Sequence, residues 1–141
     1  MKRLLALLLT VLCALTMACC GASNGGAKTV ATVAKEESMV VITIEEVAGE
    51  VALLAVMAEL QEEGKLTFTA DLSGMVQSIE GKANPADWSA CWILYTSDEE
   101  MANTEWGTIE YGGEVYGSAI LGANALSVVA GETYIWSYQT F

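Results

Sequence analysis

Apolar residues along this chain follow three patterns, and each pattern predicts a different kind of element. Leu4 to Ala18 is an uncharged, mostly apolar stretch directly after the basic pair Lys2 and Arg3. From Leu53 to Leu60 the apolar residues recur at helical spacing. After Lys65 the pattern becomes strand-like and remains so. The predicted order is therefore a leader, a strand, one helix and then several strands.

The helix is the most clearly bounded of these elements. Leu53, Met57 and Leu60 fall on one face, which requires a covering layer. Glu50 precedes the helix, where a negative charge suits the helix dipole, and Gly64 suits the position just past its end. We therefore expect one amphipathic helix ending before Gly64.

Runs rich in β-branched and aromatic residues predict the strands, and glycines or polar residues separate them. In the last run Tyr134, Trp136 and Tyr138 share one face, whereas the acidic segment from Ser97 to Trp106 predicts a loop. This order favours an α+β fold that is β-grasp-like, with one main helix packed on a mostly antiparallel twisted sheet. The predicted strands are Met39–Ile44, Leu66–Ala70, Met75–Glu80, Trp88–Tyr95, Val115–Leu121 and Thr133–Gln139.

The leader ends in a cysteine that can carry lipid. Ala18 before Cys19, in the run Leu15-Thr16-Met17-Ala18-Cys19, resembles a bacterial lipobox, although Thr16 stands where Leu is common. The stretch is too short for a comfortable membrane span but suits a signal peptide. The expected domains are a signal peptide (1–18), a lipidated tether (19–37) and a folded domain (38–141). The expected location is the extracytoplasmic face of the cell membrane, and the alternative is an ordinary signal peptide and a secreted protein.

The tether is predicted from composition, because residues 21–35 are small and polar, with glycines and no aromatic side chain. The chain that is left after removal of the signal peptide, about 120 residues, is long enough for one domain with one core. Cys20 and Cys91 are the cysteines left after lipidation, so a disulfide framework is not expected. A small buried hydrophobic residue is the favoured role for Cys91, and a bridge to Cys20 is the alternative.

Charge excludes several functions. Asp and Glu number 18 against 6 Lys and Arg, and the net charge is −12. A surface this acidic repels phosphate backbones, so we expect no nucleic-acid partner.

Histidine is absent, which removes the usual general base and the commonest metal ligand. We predict no enzyme activity, no catalytic residue, no cofactor and no metal site. An oxygen-ligated calcium site at Asp98-Glu99-Glu100 with Glu105 is the alternative to a solvated acidic loop.

Three motifs in the second part of the chain carry a family resemblance. They are Gly74-Met75-Val76-Gln77-Ser78-Ile79-Glu80-Gly81, Trp88-Ser89-Ala90-Cys91-Trp92-Ile93-Leu94-Tyr95 and Gly131-Glu132-Thr133-Tyr134-Ile135-Trp136-Ser137-Tyr138. Together they resemble the small bacterial domain that is similar to the C-terminal domain of transcobalamin and intrinsic factor. The resemblance covers roughly 39–141 and implies a β-grasp-like domain, with a corrinoid as the leading candidate ligand. It departs from the family at Thr96-Ser97-Asp98, where relatives often have an Asn-Gly turn.

Aromatic side chains are the best candidates for a binding surface, because Trp and Tyr combine a large apolar area with a polar tip. Core packing is the competing role, and it is favoured for Trp92 and Trp136. The predicted function is a lipid-anchored, non-catalytic module that binds a corrinoid or another small ligand. The alternative is a surface module that binds a protein or a glycan and no small molecule. The candidate ligand-binding residues are Trp88, Tyr95, Trp106, Tyr111 and Tyr116.

Overall fold

A computed structural model describes residues 28–141 of the chain and consists of two antiparallel sheets and one short helix. The elements are β1 Val30–Glu36, β2 Met39–Glu46, α1 Leu53–Glu62, β3 Phe68–Ala70, β4 Val76–Ile79, β5 Lys82–Ala83, β6 Ala90–Thr96, β7 Ala102–Tyr111, β8 Glu114–Ala119 and β9 Thr133–Thr140. The larger sheet has six strands in the order β1-β2-β9-β6-β8-β7, and the smaller has the order β3-β4-β5.

The predicted α+β, β-grasp-like class is wrong. The structure is mostly β, with 50% strand and 9% helix, and its one helix is short. The physical reason lies at the two edges of the larger sheet. Both edge strands, β1 and β7, form from segments whose polar composition predicted a tether and a loop.

Strand β1 lies inside the segment that composition assigned to the tether. Its residues alternate between exposed and buried at the start, with Ala31 in the core, and they pair with β2 along the whole strand. Just before it, the Thr29 hydroxyl accepts a hydrogen bond from the Ala48 amide at 3.1 Å. The ordered fold therefore begins before residue 38. The predictions for 1–27, including the signal peptide and lipidation at Cys19, lie outside the described residues.

Strand β7 replaces the second part of the predicted loop. It pairs with β8, and a register shift between Asn103 and Thr108 interrupts the pairing around Trp106. An edge strand pairs on one side only, so most of its side chains can be polar. Strand β6 begins at Ala90 rather than at Trp88, because the preceding residues form a turn.

The helix and the last strand agree with the sequence pattern. The buried residues of α1 are Leu53, Val56, Met57 and Leu60, and Gly64 follows the helix with a φ of +71°. These side chains share one cluster with Ile42 of β2 and with Tyr134 and Trp136 of β9. The predictions of the helix and of the shared face on β9 are confirmed.

A second apolar cluster lies on the opposite face of the larger sheet. Val41, Tyr95, Tyr116 and Ile135 are buried there side by side, and Tyr111 packs against the group. Both faces of the central strands therefore bury apolar side chains. Within residues 28–141 no helix is long and apolar enough to cross a membrane.

The smaller sheet is fastened to the end of the larger one by hydrogen bonds to aromatic residues. The Trp92 indole donates to the Lys82 carbonyl at 2.8 Å, and the Trp92 amide donates to the Asn84 side chain at 3.0 Å. The Tyr138 hydroxyl donates to the Ala83 carbonyl at 3.1 Å. These bonds fix the start of the turn that leads to Trp88.

Candidate functional site

The structure divides the five predicted binding residues between two places. Trp88 and Trp106 are exposed, at 52% and 66% of their surface. Tyr95 and Tyr116 are buried in the second cluster, and Tyr111 is half-buried against it. Tyr116 also borders a cleft whose lining includes two glutamates and no tryptophan. The candidate site is therefore built around Trp88 and Trp106.

All four tryptophans of the chain line two adjoining clefts. Trp88 belongs to one cleft and Trp106 to the other, whereas Trp92, Gly122 and Trp136 line both. The Trp88 cleft has a volume of about 350 Å³ and the Trp106 cleft about 370 Å³. The Trp88 cleft is lined by Ser73, Gly74, Met75, Val76, Asn84, Trp88, Cys91, Trp92, Gly122, Ala123, Asn124 and Trp136. The Trp106 cleft is lined by Trp92, Ile93, Leu94, Trp106, Ser118, Ala119, Ile120, Leu121, Gly122 and Trp136.

Trp88 is held in a backbone conformation that large side chains seldom adopt. Its φ is +56°, in the left-handed region, and its amide donates to the Pro85 carbonyl at 3.0 Å. The next residue, Ser89, donates both its amide and its hydroxyl to the Asp87 carboxylate, at 3.1 and 2.8 Å. A non-glycine residue in this region costs about 1–2 kcal/mol. Strained residues of this kind tend to be found at functional sites, and here the strained residue carries a half-exposed indole that lines a cleft.

Trp136 lines both clefts and carries an unsatisfied hydrogen-bond donor. The residue is only 5% exposed, and its indole Nε1 has no hydrogen-bond partner. It is the only such buried side-chain nitrogen or oxygen in the part of the chain that the structure describes. A buried donor without a partner costs about 1–3 kcal/mol, and the nitrogen itself is enclosed by protein. The Trp92 indole, in contrast, is satisfied by the Lys82 carbonyl.

Two turns that are tied together also line the Trp88 cleft. The Asn124 side-chain amide donates to the Ser73 carbonyl at 3.0 Å. Gly74 lies so close to Asn124 that an added Cβ would be 2.6 Å from the Asn124 Cβ. Asp71 organises the first turn, and hydrogen bonds from the Ser73 hydroxyl and the Met75 amide hold the pKa of Asp71 below its usual value. This part of the lining is thus built from backbone and neutral side chains.

Neither of the two clefts is lined by a charged side chain. Cys91 borders the Trp88 cleft as a free thiol, and burial raises its pKa, so the reactive thiolate is disfavoured. The predicted role of Cys91 as a small buried hydrophobe is only partly met, because the residue is half-buried.

The acidic loop does not assemble into a metal site in the described structure. Among residues 28–141, no group of three carboxylate or cysteine side chains is placed to hold a metal ion. The Asp98 carboxylate instead accepts a hydrogen bond from the Glu100 amide at 3.0 Å, and Glu105 is exposed. The loop therefore supplies local turn contacts at the surface.

Sequence reasoning identified two of the four tryptophans as candidates and assigned Trp92 and Trp136 to the core. Both are buried, which confirms that assignment, yet each also forms cleft wall. The turns around Ser73 and Asn124 were missed, because they meet only through the tertiary fold. One local sequence pattern did indicate the turn at the cleft. In Asp87-Trp88-Ser89 an aspartate two residues before a serine is typical of a turn that the aspartate side chain stabilises.

Comparison of the chain with family models, with curated proteins and with solved structures found no match. The resemblance to the transcobalamin-like domain therefore stays a prediction.

Proposed function

We propose that this protein is a non-catalytic module that binds a small uncharged ligand in the Trp88 cleft. The observation that carries the proposal is the half-exposed Trp88 indole, which a left-handed backbone places beside a neutral cleft that Trp92 and Trp136 also line. The ligand would offer a flat apolar face to Trp88, and neutral polar groups of the lining such as Asn124 would orient it.

The size and lining of the cleft support a ligand of one or two rings. Small-molecule sites usually have volumes of roughly 300–1,000 Å³ and mostly apolar walls with a few polar groups. The Trp88 cleft, at about 350 Å³, is near the lower end of that range. The absence of charged lining residues and the net charge of −12 both disfavour an anionic ligand.

A corrinoid is the candidate that the sequence resemblance brings. Its macrocycle is larger than the Trp88 cleft, so it would have to lie across both clefts and over Trp136. The chain contains no histidine, so it could not supply an imidazole ligand to cobalt. Binding would rest on aromatic and backbone contacts alone.

The location we propose is the extracytoplasmic face of a membrane, with the protein held by lipid at Cys19. The support is the leader sequence, and two acyl chains are enough for stable anchoring. Cys19→Ala should release the full-length protein from the membrane fraction of the cells that express it. Membrane retention of this variant, equal to that of the wild type, would count against lipidation at Cys19.

Calorimetry of the full chain with cobinamide, cyanocobalamin, adenosine and N-acetylglucosamine tests ligand binding. We expect heat at high micromolar concentration for at least one of these compounds. Trp88→Ala should remove that heat, whereas Phe141→Ala, which truncates an exposed aromatic residue outside both clefts, should leave it unchanged. Heat that survives Trp88→Ala, or no heat with any compound, would contradict the proposed site.

A further inference from the structure

We infer that the two clefts are adjoining subsites of a single groove and that the groove binds an uncharged oligosaccharide, one sugar ring at each exposed tryptophan. This inference rests on the proposed function and specifies the ligand class of the same site. Trp88 lines one cleft, Trp106 lines the other, and Trp136 lines both. A ligand that follows the shared wall would therefore meet an exposed indole in each cleft.

The openness of the indoles favours a sugar over a hydrocarbon. Trp88 and Trp106 keep about half or more of their surfaces in water, at 52% and 66% exposure. A purely apolar ligand gains most from a site that encloses it and buries nearly all of its surface. A sugar ring has an apolar face of C–H groups and a polar edge of hydroxyls. It can therefore cover an exposed indole while its hydroxyls remain hydrated.

A polar group of the groove matches hydroxyl-bearing ligands. Asn124 is exposed at the Trp88 cleft and uses its amide nitrogen to hold the Ser73 carbonyl, so its amide oxygen can accept a hydrogen bond from a sugar hydroxyl. Asn124 is neutral, as are the side chains of Ser73 and Ser118 that also line the groove.

Charge selects among oligosaccharides. The groove contains no lysine or arginine, and the chain has a net charge of −12. Sugars that carry carboxylate, sulfate or phosphate groups would be repelled and would find no cationic partner. The ligand class is therefore neutral glycans of two or more residues.

A glycan array is the first test. It is printed with neutral and acidic oligosaccharides, and the neutral set covers glucose, mannose, galactose and N-acetylglucosamine chains. The full-length protein should bind neutral chains of at least two sugars. Binding to none of the neutral chains, or stronger binding to acidic ones, would overturn the inference.

The second test assigns the two subsites with the best neutral disaccharide from the array and its monosaccharide. Titration is followed by tryptophan emission, which reports on the groove because all four tryptophans line it. Trp106→Ala should weaken disaccharide binding by about tenfold or more, as truncation of a tryptophan anchor commonly does. Monosaccharide binding at Trp88 should be unchanged. Trp106→Phe keeps a stacking ring and should recover part of the loss, and Phe141→Ala is the matched control.

These outcomes separate the inference from the proposed function. Disaccharide binding that depends on Trp88 but not on Trp106 would overturn the two-subsite groove and leave the Trp88 cleft as a ligand site. An array without neutral glycan binding, together with Trp88-dependent heat from cobinamide or adenosine, would overturn the glycan and keep a small-ligand site. Failure of both experiments would overturn both.

Discussion

Two glycines with the same backbone angle but different surroundings allow a sharp test of how the Trp88 cleft is built. Gly74 and Gly113 both have a φ of +83°. An added Cβ at Gly113 would meet nothing within 4 Å, whereas at Gly74 it would lie 2.6 Å from the Asn124 Cβ. Substitution of each glycine by alanine therefore applies the same backbone strain, and only Gly74→Ala adds a steric clash.

The expected magnitudes follow from these two terms. A left-handed φ costs an alanine about 1–2 kcal/mol, and the lower entropy of the unfolded alanine chain returns about 0.4–1 kcal/mol. Gly113→Ala should thus destabilise the protein by about 0.5–1 kcal/mol. Overpacking adds about 1–3 kcal/mol, so Gly74→Ala should cost about 2–4 kcal/mol in total. Because Gly74 and Asn124 both line the Trp88 cleft, the same variant should also weaken ligand binding.

Urea unfolding and thermal unfolding of the two variants, each followed by far-UV circular dichroism, measure the difference. At about 4 °C per kcal/mol for a domain of this size, the thermal midpoints of the two variants should differ by roughly 4–12 °C. Equal loss of stability in the two variants would refute the close contact between the turns at Ser73 and Asn124. A more stable Gly74→Ala variant would refute it as well.

Three further predictions concern strain, charge and reactivity. Trp88→Gly should be more stable than Trp88→Ala by about 0.5–1 kcal/mol in urea unfolding, because glycine adopts a φ of +56° without strain. The reverse order of stability would refute backbone strain at Trp88. The side chains of Lys28 and Lys65 lower the pKa of Glu63 from 4.5 to about 2. The stability that Glu63 contributes is therefore present above its unfolded pKa and is lost as pH falls through the folded pKa. The difference in thermal midpoint between wild type and Glu63→Gln should therefore shrink as pH falls from about 5 to about 2, and a constant difference would contradict the pairing. Because burial raises the pKa of Cys91, its thiol should react with iodoacetamide at pH 8 more slowly than free cysteine. Peptide mass spectrometry measures the two rates, and equal rates would contradict that burial.

Local pattern was sufficient for the elements with strong periodicity. The helix face at Leu53, Val56 and Leu60 and the alternating aromatics of β9 are buried as their spacing predicted. In these elements the residues that the local apolar pattern places on one face are also the residues that the core buries.

The edge strands were the part that the sequence analysis missed. Residues 30–36 were assigned to the tether with the small and polar residues before them, although Val30, Thr32 and Val33 are β-branched, and the segment pairs with β2. The start of β7 is polar and pairs on one side only, so its composition resembles that of a loop. The fold class was wrong for the same reason.

The candidate site was predictable only in part. Burial of Trp92 and Trp136 agrees with the core role predicted for them, whereas Trp106 is exposed on strand β7 rather than in the predicted loop. The adjoining clefts, in contrast, require the turns at Ser73 and Asn124 to meet, and these residues are 51 positions apart in the chain. A contact of this range is set by the packing of the smaller sheet on the larger one, which no local pattern encodes.

The position of β1 also sets how far the protein could reach from a membrane. Thr29 is buried and hydrogen-bonded, so the fold holds the chain from that residue onward. A fully extended chain spans at most about 3.6 Å per residue, so a lipid at Cys19 would keep Thr29 within roughly 36 Å of its attachment point. A tether that continued to residue 37 would have allowed nearly twice that height. An anchored protein would therefore sample only the layer next to the bilayer, and its ligand would have to be present in that layer.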